Sequence, residues 1–342
     1  MRIKLEELMS EPTTNVILVS MITTSRNISG YKFSTTINLQ EQQELQQTII
    51  KIAKALQLHV IQIPSLTLSQ KNMLVSQGII SKSFTLEPSH YILNDPVTHA
   101  YYVICDENHL TYKLQQPGFL VRSLYEQCIH DLNTFSNHLQ FAYDQEFGYL
   151  TTSIAELGTG MVFSFLIHVP GLSLYGALDS VFRQILETGC EISSKSLSSF
   201  GPNGAFFTIT MPVIPFGYEA NYLERIERAL QSLIEYEQTI QAKLLSNNTL
   251  QLYDKIGRSF GLLQYAYEVS YDEYIAIMSD IRFGIQTGVL TCEHPTILDS
   301  YIICDPVLTV ENQHEKLESE AQTRAVQMKK IAKYITFNTK EF

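Results

Sequence analysis

Gly148-Tyr149-Leu150-Thr151, then Leu157-Gly158-Thr159-Gly160, then the run from Met161 to Leu172 (Met-Val-Phe-Ser-Phe-Leu-Ile-His-Val-Pro-Gly-Leu) make up the stretch on which the fold turns. Two glycines two residues apart mark a tight turn. As a phosphate cradle, two glycines alone carry little weight, and the plainer reading is a turn before a strand. Met161–Val169 is the most apolar part of the chain, but His168 and Pro170 interrupt it. That is well short of the roughly 18–20 residues a membrane-spanning helix needs. It reads as a buried strand closed by a turn.

Outward from there, Asn15-Val16-Ile17-Leu18-Val19 has the composition of a buried strand, and Tyr101-Tyr102-Val103-Ile104 is another. Residues Phe206–Met211 form a further strand, entered by the turn signal Pro202-Asn203-Gly204. Helical periodicity begins at about Asn38, with Leu39, Leu45, Ile49, Ile52 and Leu56 on one side and glutamines on the other. A second helix is expected over roughly 118–145. A third is expected from about Tyr218 to Leu245, with Leu223, Ile226, Leu230, Leu233 and Leu244 inward and Glu224–Arg228 as an i,i+4 pair. The polar cluster Ser246-Asn247-Asn248-Thr249 predicts a boundary, giving a sheet-and-helix domain over 1–246 and a helical domain over 247–342. The last helix carries an apolar stripe through Leu317, Ala325, Met328, Ile331 and Ile335. Such a stripe must pack on something, within its own domain or against a second copy of the chain.

Composition narrows the function classes. The chain has 342 residues, 45% hydrophobic and 17% charged, as expected of a folded chain of about two domains. With 24 basic and 35 acidic side chains the net charge is −11, which speaks against nucleic-acid and polybasic membrane binding. Cys105, Cys128, Cys190, Cys292 and Cys304 are odd in number and include no C-x-x-C pair. They suit neither a disulfide framework nor a zinc site. The start, Met1 to Glu7, turns acidic before any apolar run, unlike a secretory leader. The expectation is a cytoplasmic protein with no metal centre. His109 beside Asp106 and Glu107 suggests acid–base chemistry only weakly.

Taken together, these stretches resemble the phosphagen kinase family, whose signature reads G-Y-L-T, L-G-T-G and H-L-P-x-L. They are most similar to its bacterial protein-arginine kinase branch, McsB. Ser25-Arg26-Asn27 lies where the family has A-R-N, and Glu107-Asn108-His109-Leu110 where it has E-D-H-L. Arg258-Ser259-Phe260-Gly261 resembles R-S-Y-G, and Asp280-Ile281-Arg282-Phe283-Gly284 resembles D-V-R-L-G. Arg324-Ala325 falls at the end of R-D-x-x-R-A. The resemblance implies an α+β fold: a phosphagen-kinase-like domain with an antiparallel sheet flanked by helices, then a C-terminal helical dimerisation domain. It implies transfer of the γ-phosphoryl group of Mg-ATP to a guanidinium, in this branch a protein arginine. It also implies, as partners, a zinc-binding McsA-like activator and a Clp-type unfoldase, beside a homodimer.

Against that pattern the sequence departs repeatedly in one direction. The family's R-x-R-x-x-R-N keeps only its third arginine as Arg26, and the two phosphate-facing positions are Met21 and Thr23. The arginine of E-E-D-H-L-R is Thr111, and the one two residues after L-G-T-G is Val162. No arginine occurs from Glu191 to Gly204, where Lys195 is the only cation, and no Asp or Glu from Ile192 to Gly217. Ser153 stands at the family's reactive cysteine. Losing one preorganised donor to transition-state charge costs about 10²–10³ in rate. Several such losses, even if not additive, would remove most of a kinase's advantage. The retained motif residues Arg26, Asn27, His109, Gly158 and Gly160 are then expected to be architectural. Glu107 is the one carboxylate at a catalytic position, and Arg324 a remnant of a phosphoarginine pocket. The sequence therefore predicts a catalytically inactive pseudokinase acting as a regulatory or binding partner, with no cofactor. The alternative is an active guanidino kinase using Mg-ATP, with a phosphate site rebuilt from Lys113, Arg122 or Lys195 and Glu107 as base.

Overall fold

Strand β1 (Ile17–Arg26) is the central strand from which the sheet is built, in a computed structural model that describes residues 16–86, 89–194, 204–247, 249–305, 307 and 319–338. Around it lie β2 (His59–Gln62), β3 (Tyr91–Asn94), β4 (Tyr101–Ile104), β5 (Leu110–Pro117), β8 (Met161–His168), β9 (Glu191–Ser194) and β10 (Phe206–Thr210). They form one eight-stranded sheet in the order β2-β3-β4-β5-β1-β8-β10-β9, every pair antiparallel. A small hairpin, β6 (Tyr143–Asp144) and β7 (Gly148–Tyr149), stands apart.

Strict alternation along β8, where Met161, Phe163, Phe165 and Ile167 are buried and Val162, Ser164 and Leu166 half-buried, gives the sheet two unlike faces. The inner face packs on α1 (Leu39–Ala55) and α3 (Arg122–Ser136). Here Thr24 Oγ1 lies 3.1 Å from Cys128 Sγ, and the Tyr112 hydroxyl donates to Asp131 at 2.8 Å. The β2–β4 end of the outer face is covered by α2 (Leu68–Ser76), which the sequence reading missed. Ile63, Leu74, Ile79, Phe84, Ile92 and Val103 make a second, smaller core there. Among the described residues the remainder of the outer face stays open, its side chains mostly half-buried.

Two expected helices differ in their ends. Leu39, assigned to the inner face of α1, is 76% exposed because it is the first helical residue, just after the Asn38 cap. The second helix covers 122–136, not 118–145. The Ser20 hydroxyl donates to Gly118 O and accepts from Leu120 N–H, holding that chain extended. At the other end Ala142 N–H donates to Asn27 O and Ser29 N–H to Gln140 O, so tertiary pairing claims the backbone.

Beyond α4 (Pro170–Tyr175) and α5 (Leu178–Leu186), helix α6 (Glu219–Asn247) buries Leu223, Ile226, Leu230, Leu233 and Leu244 as its periodicity predicts. The Glu224–Arg228 pair forms on its exposed side. Helix α6 runs through Ser246 to Asn247, and α7 (Thr249–Tyr265) starts beyond it. Then come α8 (Tyr271–Gln286), β11 (Leu290–Cys292), α9 (Pro295–Ile303), α10 (Glu320–Ala332) and β12 (Ile335–Phe337). The C-terminal part is thus not wholly helical: β11 pairs with β12, and Ile335 belongs to that strand rather than to the last helix. Ala325, Met328, Ile331 and Ile335 are all buried against their own chain. Leu317, Lys195 and the turn residues Pro202 and Asn203 lie outside the described residues.

The two parts of the chain interlock. His168, fully buried at the end of β8, accepts from Arg282 Nη1 at 3.0 Å on Nδ1 and so donates from Nε2 to Ser279 Oγ, 3.0 Å away. Burial and the Arg282 charge hold its pKa well below the ordinary histidine value, so the ring is neutral. Arg282 Nε in turn donates to Asp299 Oδ1 at 2.8 Å. Asp280 accepts from Lys255 and Ser259 of α7 at 2.6 and 2.7 Å. Within the same motif set Arg258 is an exposed residue paired with Asp254.

Candidate functional site

Sheet register decides where the substituted positions lie. Thr23 on β1 is paired with Lys113 on β5 and Val162 on β8; Met21 is paired with Gln115 and Ser164; Ser25 is paired with Thr111. Cross-strand partners share a face. Met21, Thr23, Thr111 and Val162, distant in sequence, are therefore one contiguous patch on the open face. Ser164, Leu166, Thr208 and Thr210 continue it toward β10. All of these are half-buried except Ser25, which is buried. Among the described residues the patch offers hydroxyls, a thioether and aliphatic groups, with Lys113 as its cation. The Lys113 ammonium donates to Gly78 O at 2.7 Å, and burial lowers its pKa.

The charges of three carboxylates, Asp106, Glu107 and Glu156, act on that ammonium and raise its pKa against the lowering by burial, without pairing with it within 4 Å. Burial and neighbouring Glu107 push the Asp106 carboxyl upward, partly offset by His90 and Lys113. Glu107 itself is exposed, its backbone carbonyl accepting from the Thr152 hydroxyl at 2.7 Å. Sequence reasoning singled out Glu107, with Asp106 beside it, but missed Glu156 as a companion. Only the return of residues 150–156 onto the 105–108 loop brings Glu156 there. Three carboxylates about one ammonium leave a local excess of negative charge, an environment that favours a cation over a phosphate chain.

The retained motif residues form an internal clasp beside this patch. Arg26, 2% exposed, donates from Nη1 to Ser25 O at 2.8 Å and Thr159 O at 2.7 Å. Its guanidinium sits 3.7 Å from the centre of the Tyr149 ring. Burial lowers its pKa to about 10. Gly160 has a φ of +62°, and a Cβ there would meet Ser25 O at 2.7 Å, so the approach of the turn to β1 requires glycine. Asn27 donates to Asn108 Oδ1 at 2.8 Å and accepts from His109 N–H at 3.0 Å. His109, fully buried, accepts from Ile28 N–H at 3.0 Å on Nδ1, which places its proton on Nε2, 2.9 Å from Lys32 O. Both ring nitrogens are thereby engaged in holding backbone. Gly148 and Gly158 bring β7 against the turn, with Tyr149 N–H donating to Gly158 O at 2.8 Å.

Two other candidates are committed elsewhere. Arg122 is paired with Glu227 of α6 at 2.9 Å. Arg324 donates twice to Asp305, at 3.0 and 2.9 Å from Nε and Nη2 to Oδ2, and again to Glu320 at 3.1 Å. Two carboxylates on one guanidinium leave little attraction for an added phosphate there.

An antiparallel sheet flanked by helices is the fold of the phosphagen kinases. Lombricine kinase matches it with a TM-score of 0.56 at 17% identity, over 70% of this chain and 71% of that one. The substrate-free duplicated taurocyamine kinase from Schistosoma mansoni gives 0.56 at 18%, over 67% of this chain; the match spans 33% of that duplicated protein. By sequence, residues 40–240 match the ATP:guanido phosphotransferase C-terminal catalytic domain, and residues 249–338 the protein-arginine kinase McsB C-terminal domain. The chain belongs to the ATP:guanido phosphotransferase family and is a homologue of its protein-arginine kinases. The protein-arginine kinase of Syntrophomonas wolfei is 24% identical over 298 residues, 85% of this chain and 83% of that protein. That of Halothermothrix orenii is 23% identical over 318 residues, 91% and 89% respectively. No helix among the described residues is long and apolar enough to cross a membrane.

Proposed function

We propose that this protein is a catalytically inactive protein-arginine kinase homologue, a pseudokinase that works in the cytoplasm as a regulatory or binding partner. The observation that carries the reading is the patch of Met21, Thr23, Thr111 and Val162, which sets uncharged side chains where the family binds phosphate oxygens with arginine forks. The residues present do not fit a nucleoside triphosphate. Its polyanionic chain would lie on Met21 and Val162 and beside Asp106, Glu107 and Glu156. The acidic rim suits a guanidinium better, so a protein arginine held without phosphoryl transfer is consistent with the same site. Titration calorimetry with Mg-ATP is expected to show no micromolar binding. Mass spectrometry of an arginine-rich protein incubated with the chain and ATP is expected to find no phosphoarginine.

A second reading is favoured by one observation, the ammonium of Lys113 on the patch with Glu107 beside it. In that case the chain is an active arginine kinase, Glu107 its base and Lys113 the replacement charge. Phosphoarginine that forms with the native chain and vanishes in Glu107→Gln would establish this reading and retire the first.

The chain is further proposed to act as a homodimer through its C-terminal part, with a zinc-binding activator or a Clp-type unfoldase as the protein partner to seek. Because the stripe of α10 is consumed internally, the interface would use other residues, of which Leu262, Tyr265 and Tyr267 are 42%, 73% and 84% exposed. Light scattering on the full chain is expected to give twice the chain mass, and Tyr265→Glu to shift it toward monomer. A monomeric native chain would refute the dimer.

A further inference from the structure

Helix α5 carries an apolar stripe, Leu178, Val181, Phe182 and Ile185, yet contains no buried residue. The stripe is packed on the core but stays half-buried, and beside Ile185 the packing is incomplete. A cavity of about 210 Å³ opens between α5, the start of β9, the end of β10 and α6, walled by Ile185, Cys190, Met211, Ile226 and Ala229. Most polar groups at its wall are engaged: the Tyr222 hydroxyl donates to Pro212 O at 2.8 Å, Cys190 Sγ lies 2.9 Å from Thr188 Oγ1, and Ser232 Oγ donates to Arg228 O at 3.0 Å; exposed Gln184 also lines it. At its mouth stands Arg225 of α6. Two nearby arginines have carboxylate partners, Arg228 with Glu224 and Arg122 with Glu227, whereas exposed Arg225 forms no ion pair or hydrogen bond among the described residues. In a chain of net charge −11, a guanidinium left without a carboxylate at the mouth of an apolar cavity is a specific feature.

We propose that this cavity binds a small amphipathic monocarboxylate, its apolar body lodged between α5 and α6 and its carboxylate on Arg225. A closed apolar cavity of about 150 Å³ accommodates a benzene ring, so this one has room for a ring and a short arm. An Arg–carboxylate pair is the interaction that the fork of N–H donors favours most. An occupant would also complete the burial of Ile185, so binding and the ordering of α5 reinforce each other.

Calorimetry and thermal unfolding of the full chain with phenylacetate, and with phenylacetamide as its uncharged counterpart, test the assignment. Phenylacetate is expected to bind at least tenfold more tightly than the amide and to raise Tm. Arg225→Gln, a change at an exposed side chain, is expected to bring the acid down to the affinity of the amide. Ala229→Phe, which fills the cavity, is expected to abolish binding of both. Equal affinity for acid and amide, acid binding indifferent to Arg225→Gln, or no binding of either probe would overturn the proposal. Arg225→Gln alone decides the outcome should Ala229→Phe fail to fold.

Discussion

Replacing Arg282 by alanine is expected to destabilise the chain by about 3–5 kcal/mol, the cost of breaking a buried ion pair from one side. Arg282 and Asp299 are only 6% and 8% exposed, and the alanine would leave the Asp299 carboxylate buried without its guanidinium. It would also take from His168 Nδ1 the donor that fixes its tautomer, loosening the bond from Nε2 to Ser279. Ser279 Oγ additionally accepts from Ala205 N–H at 3.2 Å, so the disturbance reaches the entry to β10. Urea unfolding followed by circular dichroism measures the loss. The double variant Arg282→Met with Asp299→Leu is expected to be more stable than Arg282→Ala, because no uncompensated charge remains. A single-variant loss below about 1 kcal/mol, the scale of an exposed pair, would show that this network does not hold the two parts of the chain together.

Glu237→Ala is expected to cost a similar amount, about 3–5 kcal/mol, for a different reason. Helix α4 begins at Pro170, and its first N–H groups have no partner within the helix. Glu237, fully buried on α6, accepts from Gly171 N–H at 2.6 Å and Leu172 N–H at 2.8 Å, while Gln241 donates to it at 2.8 Å. Burial raises its pKa, and those three donors offset part of the rise. Each buried donor left unsatisfied costs about 1–3 kcal/mol; alanine orphans the two backbone N–H groups, takes the acceptor from Gln241 and opens a cavity. Glu237→Gln keeps an acceptor oxygen and should lose less than half as much. Close packing is what makes the arrangement possible: a Cβ on Gly171 would stand 2.8 Å from Glu237 Oε1. Equal stability of the native and Glu237→Ala chains would mean that α4 finds its cap elsewhere.

Much of the fold was legible because its decisive segments are locally consistent. The turn at Leu157–Gly160 and the apolar run after it read as a glycine turn and a buried strand, as did Tyr101–Ile104, whose four residues are all buried; the alternation of buried and half-buried residues along the run is what the structure adds. Helix α6 was read almost to the residue, since a 29-residue amphipathic pattern leaves little choice of face. Helix α2 escaped because its nine residues show no clear apolar periodicity; it is fixed by the Thr67–Gln70 capping box and by the cover it gives β2–β4. The ends of α3 were misplaced because Ser20 and Asn27, about a hundred residues away, decide them.

The candidate site divides along the same line. Residue types alone, at motif positions, determined that arginines are missing at Met21, Thr23, Thr111 and Val162 and that Glu107 remains, because side-chain chemistry is a property of each residue by itself. Only the tertiary structure decided that these four share one sheet face, because strand register is set by pairing across about 140 residues of chain. It likewise decided that Asp106 and Glu156 join Glu107 near Lys113, that Arg26 spends Nη1 on two backbone carbonyls, and that both His109 ring nitrogens hold backbone. Charge crowding and hydrogen-bond satisfaction depend on distances of a few ångströms between segments far apart in sequence, and folding alone sets those distances.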